Sequence, residues 1–263
     1  MKFKLLCLLL PWSIVLAGEK EALWSLKPLQ KPKIPEVSGN ADPIDAFIHA
    51  KLDEIGLHSF PQADRLTLIR RLHFDLLGLP PTPQAVKRYL QDKRPDAYFR
   101  LITHLLESPH FGERWARHWL DLTAYADTVG IGRAIPAPEA WRYRDYVINA
   151  FGRDLPYDTF VREQIAGDLI GQVLTAVPED ELPYVSWDAK REAERIIATG
   201  FLAIGPWELV NGDKPQLRMD IVDKQVNRVG QTFLGLTLGC ARCHEHKFDP
   251  VSQEDYFAMA GIF

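Results

Sequence analysis

The stretch DRLTLIRRLHFDLLGLPPTP, Asp64 to Pro83, contains the whole grammar of the fold. Asp64 is a helix-capping residue, Leu66, Ile69, Leu72, Leu76 and Leu77 recur at helical spacing, and Gly78-Leu79-Pro80-Pro81 stops the run. Thr82-Pro83 then opens the next helix at once, with a capping hydroxyl followed by proline in the first turn. This cap, stripe, stop and recap predicts short helices separated by Pro and Gly.

The same grammar extends in both directions. Upstream, Asp42-Pro43 starts a helix whose apolar positions are Ile44, Phe47, Ile48, Leu52 and Ile55, and Gly56 ends it. Downstream, the Thr82 helix runs to about Gln91, Pro95 leads a fourth through Phe99, Ile102, Leu105 and Leu106, and Pro109 leads a fifth through Trp115, Trp119 and Leu122. Thr128 to Pro138, with two glycines and two prolines, reads as an irregular loop. Helices follow near Glu139 to Phe151 and Tyr157 to Ile170, then an acidic, proline-punctuated surface excursion from Leu174 to Trp187 and a helix near Asp188 to Thr199. After a Gly/Pro-interrupted stretch, Leu202 to Lys214, one long helix is expected from about Leu217 to Leu238, and Ser252 with Asp255 caps a last one. No alternating pattern lasts long enough for a sheet. The expectation is a mainly α, irregular multi-helix domain with Pro/Gly-rich loops and no internal repeat.

Composition agrees with a folded chain of ordinary type. Over 263 residues, 46% are hydrophobic and 25% charged, which excludes disorder and coiled coil as descriptions of the whole. Net charge is −4, so there is no basic surplus for binding a phosphate backbone, and no nucleic-acid partner is expected. Met1 to Ala17 combines Lys2 and Lys4, an apolar run from Leu5 to Leu16 and a small residue at the end, the pattern of a secretory signal peptide. The run is too short for the roughly 20 residues of a membrane helix, so no stable span is expected after its removal, and the protein is expected in the periplasm or outside the cell. Residues 18–41 read as an extended, Pro-rich lead-in to a helical domain over 42–263. Cys7 leaves with the signal, and only Cys240 and Cys243 remain.

Those two cysteines stand in Cys240-Ala241-Arg242-Cys243-His244, a CxxCH pattern near the C-terminal end. Two thiols three apart lie on one side of a helical turn, as the two vinyl groups of a haem require, and the next histidine can ligate the iron. The site expected is therefore covalent haem c on Cys240 and Cys243 with His244 as proximal ligand. Two readings stay open beside it: a disulfide or redox pair, and a zinc site made from Cys240, Cys243, His244 and His246. His246 is too near His244 in sequence to reach the opposite haem face, which leaves it a haem-edge, hydrogen-bonding or second-metal role. Met219, Met259 and His118 are candidate distal ligands, and Asp249 a candidate to orient His244 or His246. Two strong axial ligands favour electron transfer, whereas an open iron site permits a haem enzyme.

Other polar clusters have simpler readings. In Arg114-Trp115-Ala116-Arg117-His118-Trp119, as in Trp141-Arg142-Tyr143-Arg144-Asp145-Tyr146, the aromatic residues are expected in the core and the charges at the surface. Arg65, Arg70, Arg71, His73 and Asp75 form a solvated face, with His73 a candidate buried histidine. There is no nucleophile–base–acid constellation, phosphate loop or dinucleotide fingerprint. Few residues follow His244, so any haem must pack on the upstream helices or on a part of the protein beyond this chain. The stop inside the apolar run Phe257 to Phe263 suggests a fragment of a longer protein.

Six blocks in fixed order resemble one family: ADRLTLIRRLHFDLLGLPPTP (Ala63 to Pro83), SPHFGERWARHWLDLTAYAD (Ser108 to Asp127), WRYRDYVINAF (Trp141 to Phe151), DLPYDTFVREQIAGDL (Asp154 to Leu169), ATGFLAIGPW (Ala198 to Trp207) and GQTFLGLTLGCARCHEHKFDPVSQEDYFAMAGIF (Gly230 to Phe263). They are similar to the secreted planctomycete cytochrome-like proteins, in particular the domain of unknown function described as their second c-type cytochrome domain. The resemblance implies an exported, haem-associated protein, usually continued by a second uncharacterised domain and sometimes preceded by another cytochrome-type domain; the role expected is electron transfer to a redox partner or for an attached or neighbouring domain, with breakdown of complex carbohydrate as the family's usual company. It implies no particular reaction, and its cytochrome label rests on the same CxxCH pattern.

Overall fold

The computed structural model describes residues 24–37, 42–130, 134–170, 189–207 and 212–263. The signal segment, the whole Leu174 to Trp187 excursion and parts of the lead-in lie outside these residues. The chain divides into two compact units, Met1–Gln62 and Ala63–Phe263.

In the first unit a 3-10 turn, Trp24–Leu26, precedes α1, Pro43–Glu54. Asp42 caps α1 by accepting the Ile44 N–H at 2.9 Å, as its sequence suggested. The expected apolar face is left open: Ile44, Phe47 and Ile48 are exposed, and Ala46 is the one buried residue of the helix.

The second unit holds α2 (Arg65–Leu77), α3 (Pro83–Gln91), α4 (Ala97–Leu106), α5 (Pro109–Leu122), α6 (Ala140–Gly152), α7 (Tyr157–Ala166), α8 (Ala189–Ala198), α9 (Lys214–Val229) and α10 (Gln253–Ala260). The caps are the ones the sequence carries. Asp64 accepts from Thr67 N–H, Thr82 from Ala85 N–H, and Ser252 with Asp255 forms a capping box. Gly78 closes α2 in the left-handed conformation, φ 69°. Among the described residues no helix is long and apolar enough to cross a membrane.

Two expectations need correction. The loop Thr128 to Pro138 contains a minimal antiparallel pairing of β1, Thr128–Val129, with β2, Ile135–Pro136. The long helix drawn to Leu238 ends at Val229. A π turn, Gly230–Leu234, follows, and Gly235 at φ 67° reverses the chain so that Leu236 N–H returns to Gly230 C=O. Helical spacing of Val229, Phe233 and Leu236 hid the break, because apolar periodicity does not register a left-handed residue.

The main core joins α5, α6, α7 and α8 through Trp119, Tyr143, Tyr146, Val147, Phe160, Ala198 and Phe201. Buried aromatic hydroxyl and indole groups must find partners there. Trp119 Nε1–H and Tyr143 O–H both donate to Gln164 Oε1, at 3.0 and 2.5 Å, and Tyr146 O–H donates to Glu163 Oε2 at 2.9 Å. Arg191 completes the pairing of the buried Glu163. A second, smaller core is built from Val222, Val226, Leu238, Ala241 and Tyr256, and a third, from Ile69, Tyr89 and Ala97, ties α2 to α3 and α4. The second core carries the CxxCH segment.

Candidate functional site

The motif lies on a 3-10 helix, Leu238–Arg242, with Cys243 at its C-cap. Residues three apart eclipse one another in this geometry. Leu238 and Ala241 therefore share the inward face, buried against Val222 and Val226 of α9 and Tyr256 of α10. Cys240 and Cys243 share the outward face, both exposed and both free thiols. Burying the apolar Leu238 and Ala241 thus dictates that the two thiols are presented together.

Side chains from α9 and α10 fix this turn. Asn227 Oδ1 accepts the Gly239 N–H at 2.7 Å, while its Nδ2–H donates to Asp223 C=O at 3.0 Å. A Cβ on residue 239 would lie 2.6 Å from Asn227 Cγ and closer still to its amide, so any larger residue there would have to displace the Asn227 side chain. Arg242 reaches toward Asp220 and Asp223 at 3.5 and 3.7 Å, and Gln253 Nε2–H donates to Arg242 C=O at 3.0 Å. Tyr256 O–H donates to Asp223 Oδ1 at 2.7 Å. Burial, reinforced by the carboxylate it faces, pushes the Tyr256 phenol well above its ordinary range.

The two histidines of the segment have opposite settings. His244 is exposed and its Nδ1 lies 2.8 Å from Glu245 C=O. A carbonyl only accepts, so Nδ1 carries the proton and Nε2 keeps its lone pair free at the surface. His246 is 8% exposed, and its Nδ1 accepts backbone N–H bonds from Asp249 at 2.8 Å and Phe248 at 3.3 Å. Its proton then sits on Nε2, which donates to Thr237 Oγ1 at 3.0 Å. Of the roles open to His246, the structure displays hydrogen bonding: both ring nitrogens are engaged in shaping the 246–251 turn, which closes with His246 N–H to Val251 C=O at 3.0 Å. Asp249 orients His246 through its backbone N–H rather than its carboxylate, which stands 3.5 Å from Nδ1.

Among the described residues no group of three or more His, Cys, Asp and Glu side chains is placed to hold a metal ion, so the four residues weighed for zinc are not gathered as a ligand set. The candidate distal ligands are dispersed. His118 is exposed on α5 against the edge of Trp115, ring centroids 5.5 Å apart, Met219 is exposed on α9, and Met259 packs between the two larger cores.

The other clusters separate much as their helical spacing suggests. Trp119, Tyr143 and Tyr146 are buried, whereas Trp115, Leu122 and Trp141, also expected inside, are exposed. Arg117 pairs with Asp121 at 3.0 Å and Arg144 with Asp145 at 2.9 Å on the surface. Sequence reasoning missed the residues that hold the motif, namely Asn227, Asp223, Gln253 and Tyr256. Only the shared register of Gln253 and Tyr256 on α10 hinted that one face of that helix is dedicated to a single neighbour.

No curated protein and no solved structure matches the chain. Residues 43–263 match the model of the PSCyt2 family, described as a protein of unknown function (DUF1549), and with most of its length covered the chain belongs to that family.

Proposed function

We propose that the chain is an exported c-type haem protein that works in electron transfer for an attached or neighbouring domain. Cys240 and Cys243 would hold the haem covalently, and His244 Nε2 would ligate its iron. One observation carries this reading: both thiols stand free on the outward face of a single turn, directly followed by a histidine whose Nδ1–H is tied to a carbonyl and whose Nε2 is free. A backbone hydrogen bond on the far nitrogen is the usual means of setting the tautomer and ring orientation of a metal-ligating histidine. Exposed Phe248 and Phe257, close to the motif in sequence, supply apolar surface of the kind a porphyrin covers.

When bound, the haem supplies a one-electron couple. The protein's share is to hold the turn still. Asn227, Gln253 and the buried Leu238 and Ala241 fix the backbone beneath the thiols, and the His246 turn fixes the chain that leaves His244. The alternative zinc module receives less support, because His246 has both nitrogens engaged. Export rests on the Met1 to Ala17 pattern.

The test is expression of the full chain with its own N-terminus in a host that attaches haem c, beside Cys240→Ala, Cys243→Ala and His244→Ala. Covalent haem in the parent chain, loss of one thioether in each cysteine variant and an altered axial-ligand spectrum in His244→Ala support the assignment. An unchanged spectrum in His244→Ala overturns the ligand, and stoichiometric zinc without haem in the parent chain overturns the cofactor.

A further inference from the structure

The second unit contains a cavity of about 790 Å³ between α2, α3, α4 and the start of α5, formed by residues other than the CxxCH segment. Its size falls within the roughly 300–1,000 Å³ of small-molecule sites. Leu77, Ala97, Leu101 and Leu105 give it apolar walls. Into it faces His73, 9% exposed and without a hydrogen-bond partner among the described residues. Its ring nitrogens stay accessible from the cavity, where a ligand can replace solvent as their partner.

The charges around His73 favour an anion. From α3 and the turn after it come Arg88, Asp92 and Arg94; from α4 and its end come Arg100, His104 and Glu107. Arg94 is committed to Asp92, Nε to Oδ1 at 2.9 Å and to Oδ2 at 3.2 Å and Nη2 to Oδ2 at 2.6 Å, so that pair cancels. Arg100 is held by Asp96 at 2.7 Å, outside the lining. Arg88 makes no ion pair among the described residues, which leaves it and the two histidines facing Glu107 alone. His73 is held below its ordinary value by burial and by the charge His104 would carry, so an anion beside it would favour its protonated form.

We propose that this cavity binds a small organic anion, its carboxylate or phosphate recognised by Arg88, His104 and His73, and its apolar body lying against Leu77, Leu101 and Leu105. An anion there gives His73 the partner it lacks and offsets its repulsion from His104. Binding must therefore move the titration of His73 upward. Carboxylate and phosphate share this chemistry and are separated by the choice of probe.

The experiment follows the imidazole resonances of His73 and His104 by NMR in the full chain. Inorganic phosphate and acetate are titrated separately, with ionic strength held constant by chloride. The expected result is a saturable upward move of the His73 midpoint for at least one of the two, half complete at about 1–10 mM for a bare ion, with the tighter ion naming the headgroup. Arg88→Gln, at an exposed position without an ion pair, should weaken that ion about tenfold while leaving the fold intact. A His73 midpoint unmoved by both ions overturns the proposal. So does an equal move at exposed His110 and His118, which would be general screening, or an unchanged affinity in Arg88→Gln. Selective loss of the His73 and His104 signals with zinc, and no response to either anion, would assign the cavity to a metal instead.

Discussion

Replacing Gly239 by Ala tests the support beneath the thiols, and the structure sets its magnitude. The new Cβ would stand 2.6 Å from Asn227 Cγ, so the Asn227 amide must swing away. Doing so gives up its bonds to Gly239 N–H and Asp223 C=O, at 2.7 and 3.0 Å. Two such bonds are worth about 1 kcal/mol each, with more lost if the partly buried N–H is stranded. Alanine returns about 0.5–1 kcal/mol by stiffening the unfolded chain. The net expectation is destabilisation by about 1–2 kcal/mol. Asn227→Ala breaks the same two bonds and should cost about 2 kcal/mol. Because both substitutions break the same bonds, and the clash is absent once Asn227 is truncated, the double variant should cost little more than one single change. Urea denaturation of the parent, both singles and the double gives the cycle, with an expected coupling of about −1.5 kcal/mol. Additivity within about 0.5 kcal/mol, or a stabilised Gly239→Ala, would refute the reasoning.

Other outcomes follow from the same geometry. Tyr256→Phe keeps the buried ring but removes the bond to Asp223, and should lower stability by about 1–2 kcal/mol in the same assay. Since folding raises the Tyr256 pKa, its contribution is complete below about pH 10 and is lost as pH rises further, so the parent's excess over Tyr256→Phe should shrink in alkaline titration. Arg94, bonded to the Asp92 carboxylate, holds it down at about 2 from its ordinary 3.8, so this contribution is present above pH 3.8 and fades as pH falls toward 2. Side-chain carboxyl NMR of Asp92 should locate that midpoint, and Arg94→Gln should return it toward 3.8. In Gly112→Ala a Cβ would lie 2.6 Å from Ile148 C=O, forcing α5 and α6 apart, and the cost of roughly 2–3 kcal/mol should lower the melting temperature by about 5–10 °C.

Much of the helix layout was legible because it is written in local chemistry. Asp42, Asp64, Thr82 and Ser252 announce helix starts by what their side chains can accept, and each does so here. The break after Val229 was not legible, since it depends on Gly230 packing against Leu238 and on the reversal at Gly235, both tertiary in origin. At the site, the sequence alone distinguished Cys240, Cys243 and His244. The separation of the two histidines was hidden: His244 and His246 differ in burial and tautomer because Thr237, Phe248 and Asp249 close around one of them. Asn227 was hidden for a similar reason. Its importance arises from the approach of Gly239 across a turn, which no period in the sequence records.

The most direct test of the central claim is a pyridine haemochrome spectrum, with a haem stain after denaturing electrophoresis, on the exported chain from a host that matures c-type cytochromes. The expected result is a c-type spectrum that survives denaturation and vanishes when Cys240 and Cys243 are both replaced by Ala. A folded parent chain that carries no covalent haem under these conditions would contradict it.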